Sequence, residues 1–309
     1  MKSLGFAVAC VLLLGFASGC GPNGQDQAAA PTKIIGASLL TQSHVFYQDL
    51  VGALKAEAEN HGFKLLIQYC EFDGAKQNDQ LQTFVRQKVH AIVVSPQDSG
   101  AIAPAIAEAQ GDGIPVFTVD IAAHNVAVLS HIASDNVQGG RLIGEYLAKL
   151  LDGKGRVAIV DHPETASVQE RVRGFEEAIA QYPELAIVRK VPGGGQRDKA
   201  FRATRDLLEA QPDLNAIFGI NDDSALGALA AVEERELQDR ILIVGYDGTP
   251  EAEKAILAGG PFKADTVQYP KQIGKQAVEV IAAHFRGEEV PGQVYIPCGI
   301  VDAESLKAE

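Results

Sequence analysis

Short apolar runs that end on a polar side chain and pass at once into a helix recur along this chain, and this narrows its fold more than any other feature. The clearest case is Asn215 to Leu229. Asn215-Ala216-Ile217-Phe218-Gly219 has the length of a buried strand, and Asn221 and Asp222 stand at its end. An Ala/Leu-rich helix follows, with Asp222, Asp223 or Ser224 available as its N-cap. The same order recurs where Ile92-Val93-Val94 ends at Ser95-Pro96-Gln97-Asp98, where Pro115 to Val119 ends at Asp120, and where Ile241 to Tyr246 ends at Asp247. In an open α/β sheet, ligands bind outside the carboxyl ends of the strands. A row of strand-end carboxylates and amides therefore reads as a polar cleft between apolar walls.

The spacing predicts strands over 33–39, 63–69, 90–95 and 114–119. They alternate with helices over 46–61, 77–88 and 100–111, the first closed by Gly62. A β-like run over 126–132 and a long helix over 136–151 follow. After Asp152-Gly153-Lys154-Gly155 the cycle restarts, with strands over 156–160, 185–191, 215–219, 241–244 and 262–267. Helices are predicted over 167–182, 198–210, 224–236, 251–258 and 272–285, and an extended segment over 293–300. Strict alternation implies parallel sheets with helices on both faces. Two rounds of it favour two similar lobes over one sheet of ten strands, because large open sheets tend to split.

Of the 309 residues 46% are apolar and 22% charged, a globular composition. A net charge of −13 repels phosphate backbones and argues against nucleic acid as a partner. Residues 1–19 read as a signal peptide: a basic start at Lys2, an apolar segment from Leu4 to Phe16, then small residues. Ala17-Ser18-Gly19-Cys20 is similar to a bacterial lipobox, with cleavage before Cys20 and a lipid on its thiol; the competing reading is an ordinary signal peptide that holds a Cys. Residues 20–32, rich in Gly, Gln, Pro and Ala, read as a flexible tether. Export permits a disulfide between Cys70 and Cys298, but two unpaired thiols are expected. No CxxC or His/Cys cluster suggests a metal.

Enzyme motifs are missing: no GxSxG elbow, no Walker A, no HExxH and no GxGxxG after the first strand. Gly193-Gly194-Gly195 lacks that spacing. Asp161, His162, Thr165 and Ser167 lie close in sequence, but a nucleophile–base pair is a matter of geometry.

Four passages carry a family resemblance. They are Ser130-His131-Ile132-Ala133-Ser134-Asp135-Asn136 with Gly139-Gly140, Gln169 to Phe175, Asn221 to Ala228, and Val244-Gly245-Tyr246-Asp247-Gly248-Thr249-Pro250. From about Thr32 onward the chain resembles a type I periplasmic sugar-binding protein, nearest to the ribose-binding proteins of ABC importers. The resemblance implies an α/β fold of two Rossmann-like lobes with parallel sheets, joined by a three-strand hinge and closing over one sugar. It places residues 33–134 with 269–296 in the N-terminal lobe and 135–268 with 297–309 in the C-terminal lobe. The crossings fall near Ser134-Asp135, Gln268-Tyr269 and Ile296 to Gly299.

The resemblance also assigns site residues. Phe46 and Tyr47 match the aromatic pair whose rings cover the apolar faces of a sugar; the other reading is that one ring is helix core. Asp120 matches a strand-end carboxylate that accepts from two hydroxyls, or else serves as a turn cap. Arg171 matches an arginine that donates to sugar oxygens, or else pairs with Glu170 or Glu176. Asn221 and Asp247 match the polar pair of the second lobe, with Asn221 otherwise a cap, and Gln268 matches the hinge amide. Three positions depart from the pattern. His44 stands where the family has Asn, Ile121 where an Arg follows the strand-end Asp, and Gly195 where an aromatic covers the sugar. Ile121 cannot donate a hydrogen bond, and a buried hydroxyl without a partner costs roughly 1–3 kcal/mol. Either His44 or water supplies the missing donor, or the ligand has fewer or differently placed hydroxyls, so ribose is one candidate among sugars and related polyols.

The implied function is a lipid-anchored, exported solute-binding protein, monomeric and without cofactor or catalysis, that delivers a sugar to a membrane permease of an ABC importer. A sensor presenting its closed form to a membrane receptor is the alternative. A repressor of related core is disfavoured because a signal peptide occupies the place of a DNA-binding helix. A secreted α/β enzyme is disfavoured by the missing motifs.

Overall fold

The computed structural model describes Met1 and residues 32–308. The expected signal peptide beyond Met1, Cys20 and the tether up to residue 31 lie outside the described residues. The chain begins with β1 (Ile34–Leu39), α1 (Val45–Asn60), β2 (Lys64–Tyr69), α2 (Gly74–Arg86), β3 (Ala91–Val94), α3 (Ala103–Gly111), β4 (Val116–Val119) and β5 (Ser130–Ser134). It continues with α4 (Asn136–Leu150), β6 (Lys154–Asp161), α5 (Ala166–Ile179), β7 (Glu184–Pro192), α6 (Arg197–Ala210), β8 (Ala216–Gly219), α7 (Asp222–Glu234), β9 (Leu242–Asp247), α8 (Pro250–Leu257) and β10 (Phe262–Val267). It ends with α9 (Pro270–Phe285), β11 (Gln293–Ile296), β12 (Gly299–Asp302) and a last turn, α10 (Ser305–Ala308).

These strands form two sheets of six, ordered β11-β5-β4-β3-β1-β2 and β12-β10-β9-β8-β6-β7. The fold is two α/β lobes with mostly parallel sheets, as the resemblance implies. The central strands are apolar on both faces because helices cover both. In the first lobe Val93 and Phe117 face one core while Ile92 and Val116 face the other. The second lobe repeats this, with Val157 and Ile159 on one side and Ala158 and Val160 on the other. Every pair in the first sheet is parallel. In the second, β12 is antiparallel to β10, because it follows β11 directly with no crossover helix to turn the chain.

The chain passes between the sheets three times: after β5, after β10, and between β11 and β12. The outer crossings are tied together. Asp135 donates its amide to the Ile296 carbonyl at 2.8 Å, and the Gln138 side chain accepts from the Cys298 amide at 2.9 Å. Cys298 sits at this hinge and Cys70 in the first core; both thiols are free and buried.

Two elements differ from expectation. The run over 126–132 is a strand only from Ser130, where Ser130 aligns with Phe117. Val126 and Val128 instead pack against the α2–α3 core. The segment 293–300 divides around Pro297 into two strands in different sheets, since proline cannot donate to a ladder.

Candidate functional site

The carboxyl ends of both sheets face one cleft. Helix α1 starts there, with His44 as its N-cap, and so brings Phe46 and Tyr47 into the cleft wall. Strand β4 ends at Asp120 and Ile121. Across the cleft stand Arg171 on α5, Asn221 before α7, Asp247 at the end of β9 and Gln268 after β10. All nine residues expected to bind ligand line one cavity of about 520 Å³, open solvent at its mouth included.

Arg171 is placed by close helix packing. A Cβ on Gly140 would stand 2.0 Å from the Arg171 carbonyl oxygen, and one on Gly174 2.0 Å from that of Val137. Only glycine lets α4 and α5 meet this closely. The buried guanidinium then donates from Nε to Asn136 Oδ1 at 2.9 Å and from Nη1 to the Ile220 carbonyl at 2.9 Å. It lies 4.1 Å over the Tyr246 ring and 3.6 Å from Asp247 Oδ1. Burial alone would weaken its hold on the proton, but Tyr246, Asp247 and Asp120 outweigh burial and raise the pKa. Neither Glu170 nor Glu176 pairs with it; Lys190 takes Glu176.

The two strand-end carboxylates are held differently. Asp120 Oδ2 accepts from the Tyr47 hydroxyl at 2.6 Å, which also meets Ser95 Oγ at 3.0 Å. Burial raises the Asp120 pKa, and Arg171 opposes the rise. Asp247 Oδ1 accepts from Gln268 Nε2 at 2.7 Å. His44 Nε2 approaches Asp247 Oδ2 from the other lobe, at 3.3 Å. Because His44 Nδ1 accepts from the Phe46 amide, the ring proton sits on Nε2 and a neutral imidazole suffices. Both aspartates have positive φ, 63° and 136°, a conformation that costs non-glycine residues on the order of 1–3 kcal/mol. It aims each carboxylate into the cleft rather than along its strand.

The competing readings resolve as follows. Phe46 and Tyr47 are nearly buried yet line the cavity, edge to face with centroids 5.2 Å apart. Asn221 is both cap and lining: Oδ1 accepts from the Ser224 amide at 2.9 Å while Nδ2 donates to the Gly195 carbonyl at 3.1 Å. Gln268 Oε1 is buried with no donor, an acceptor suited to a ligand hydroxyl. Where Gly195 lacks a side chain, His162 comes closest; a Cβ there would meet its Nδ1 at 3.3 Å. His162, Thr165 and Ser167 also line the cavity, but the Thr165 hydroxyl donates to the His162 backbone at 3.2 Å and the ring faces Glu164. That geometry holds a loop; it does not pair a nucleophile with a base.

Sequence reasoning missed three participants. Asn136 closes the Ser130–Asn136 run, and nothing in that run marks it as the partner of Arg171. Tyr246 lay hidden in an apolar run. Ser99 joins the lobes at the cleft mouth: its amide donates to the Glu164 carbonyl at 3.1 Å and its hydroxyl accepts from the Ala166 amide at 2.8 Å. With the His44–Asp247 contact, these bonds show the lobes closed on each other.

Carboxylates, an amide and a guanidinium between apolar walls are donors and acceptors for a neutral polyhydroxylated molecule, with charge-assisted hydrogen bonds where the charges contact hydroxyls. The chain belongs to the periplasmic binding protein domain family, which it matches over residues 35–289. It is 33% identical over 262 residues to the ribose import binding protein RbsB of Salmonella typhimurium, covering 84% of this chain and 88% of that protein. An ABC transporter solute-binding protein from Mycobacterium smegmatis, solved with bound glycerol, superposes with a TM-score of 0.83 at 33% identity, covering 90% of this chain and 96% of that one. A periplasmic solute-binding protein from Actinobacillus succinogenes, solved with D-allose, superposes at 0.82 with 28% identity, covering 90% and 100%.

Proposed function

We propose that this chain is the exported solute-binding protein of an ABC importer, and that it closes over one neutral sugar or related polyol. The observation that carries this reading is the pair of buried strand-end carboxylates, Asp120 and Asp247, facing one cavity from opposite lobes with Arg171 beside them. The polyols bound by related proteins support the same class. Lobes 33–134 with 269–296 and 135–268 with 297–309 swing about the three crossings. Cys20 carries the lipid, residues 20–32 tether the closed monomer to the membrane surface, and a membrane permease receives it. Selective binding and closure are the whole of the work, and no residue is assigned a covalent step.

Within that class the ligand has a position without a hydroxyl. Ile121 stands in one apolar wall with Leu40, Phe46 and Phe72, and a hydroxyl aimed there would lose its water without gaining a partner. A thermal-shift panel of D-ribose, other pentoses, hexoses, deoxy sugars and open-chain polyols tests both statements. Ligand at a hundred times its Kd adds about 2.7 kcal/mol, at roughly 2–4 °C per kcal/mol for a chain this size. No shift with any of them, on protein stripped of ligand by unfolding and refolding, would sink the sugar reading.

A further inference from the structure

Two carboxyls that the binding reading does not use meet at the turn carrying Asp247. Asp222, at the first position of α7, is 1% exposed, and Asp265, in the middle of β10, is fully buried. Asp222 Oδ2 accepts from the Thr249 amide at 2.8 Å, and Asp265 Oδ2 from the Gly248 amide at 3.0 Å. The two carboxyls lie close enough to act on each other's acidity. Asp222 Oδ1 and Asp265 Oδ1 are both buried without a hydrogen-bond partner, an arrangement that a proton on one of the two acids would satisfy. The Asp222 amide in turn points at Asp247 Oδ2, 3.5 Å away. Gly248 follows Asp247 at φ 75°, and a Cβ on it would meet Val267 at 2.9 Å. The turn is thus gripped at two successive amides by a single acid pair.

We propose that Asp222 and Asp265 are positioning residues that share one proton, and that this singly charged pair holds the Gly248–Thr249 turn so that Asp247 meets the ligand. Losing the proton would set three carboxylates side by side. Asp247 is the charged group that faces the pair from β9. Beyond it stand Arg171 on α5 and the His44 ring on α1, both on Asp247's own carboxylate. No cation lies within hydrogen-bonding reach of Asp222 or Asp265 among the described residues, and α8 turns Ala252 and Ile256 inward. No group of His, Cys, Asp and Glu among the described residues is arranged to hold a metal ion, so a proton is what neutralises the pair. Two carboxylates sharing a site cannot both ionise readily.

The acidities agree in direction. Burial, then the nearby Asp265 and Asp247, raise the Asp222 pKa well above the carboxylate range. Burial raises Asp265 to about 7, with Asp247 adding to the rise. The folded chain therefore binds a proton that the unfolded chain releases near pH 4. The pair's contribution to stability falls as pH climbs from about 4 through the raised pKa values of the folded pair, that of Asp265 being about 7. Binding follows the same proton where the turn sets the place of Asp247.

The test compares wild type with Asp265→Asn. The amide oxygen there can still accept from Gly248 while its NH₂ donates permanently to Asp222. The Gly248 and Thr249 amide resonances of the ligand-free protein are followed by NMR from about pH 5.5 to about pH 8.5, which brackets the titration. Both should move with one common midpoint in wild type and stay still in Asp265→Asn. D-ribose affinity, measured by calorimetry at the two ends, should weaken roughly tenfold in wild type, the equivalent of one unit of coupled pKa, and not in the variant. Amides that do not titrate, or that titrate alike in both proteins, would overturn the proposal. So would an equal pH dependence of affinity in both. The ribose arm rests on the sugar reading above: binding at neither pH would remove ribose from the candidates and leave that reading to the thermal-shift panel, and the amide titration would then decide the pair alone. Asp222→Asn moves the fixed donor to the other partner and should give the same flat profile, which decides the matter if Asp265→Asn fails to fold.

Discussion

The two lobes share a plan but build opposite walls. The first presents Phe46, Ile121 and Leu40 with one carboxylate, Asp120, tied to Tyr47 of the same lobe. The second presents Arg171, Asn221, Asp247 and Gln268, each held by a network of other buried polar groups. The first wall is ordered by the core behind it and is complete without the partner lobe. The second is ordered by hydrogen bonds, and one of its anchors, His44, comes from across the cleft. The difference teaches where selectivity and sensitivity reside. Shape and the absence of a donor at Ile121 come from the first lobe; most of the charge comes from the second, and closure takes a residue from each, His44 with Asp247 and Ser99 with Ala166.

The contrast breaks most sharply at Arg171. Arg171→Met leaves Asn136 and Asp247 buried without their cation, and urea unfolding should show a loss of about 3 kcal/mol, as when one partner of a buried ion pair is removed. A loss under about 1 kcal/mol, the size of one ordinary hydrogen bond, would mean that the second wall does not depend on its network. Tyr47→Phe is the matching change in the first lobe. It removes one hydrogen bond to a charged acceptor, and about 1.5–3 kcal/mol should disappear from the unfolding free energy. Ile121→Arg with His44→Asn gives the first wall the donors of the ribose pattern. Calorimetry should find D-ribose bound about tenfold more tightly, or 1.4 kcal/mol; no gain would show that the ligand does not adopt a ribose-like pose here. The smallest effect belongs to the cleft mouth. Ser99→Ala loses the acceptor for the Ala166 amide, so ligand affinity should drop by about 1 kcal/mol, one neutral hydrogen bond, with urea stability nearly unchanged.

Much of this was legible before any coordinates. Strands and helices follow local periodicity, and a strand's polar end is visible where its apolar run stops; Asp120 and Asp247 were found that way. Arg171 and Gln268 came through the resemblance, since nothing in their own neighbourhoods marks them. What stayed hidden depends on residues distant in sequence: the Asn136 bond to Arg171, Ser99 against the α5 start, and Asp265 meeting Asp222. Asp265 sits in the middle of a strand whose neighbours are fully buried, where a carboxyl reads as a flaw in the pattern until its partner is seen.

The sequence by itself determined that this chain makes two rounds of βα units with polar strand ends, because burial on both faces of a parallel sheet writes its period into the residues. Only the tertiary structure decided which polar ends meet. The three crossings bring two separate sheets mouth to mouth, and no local rule encodes the angle at which His44 reaches Asp247 or the depth at which two acids must share a proton.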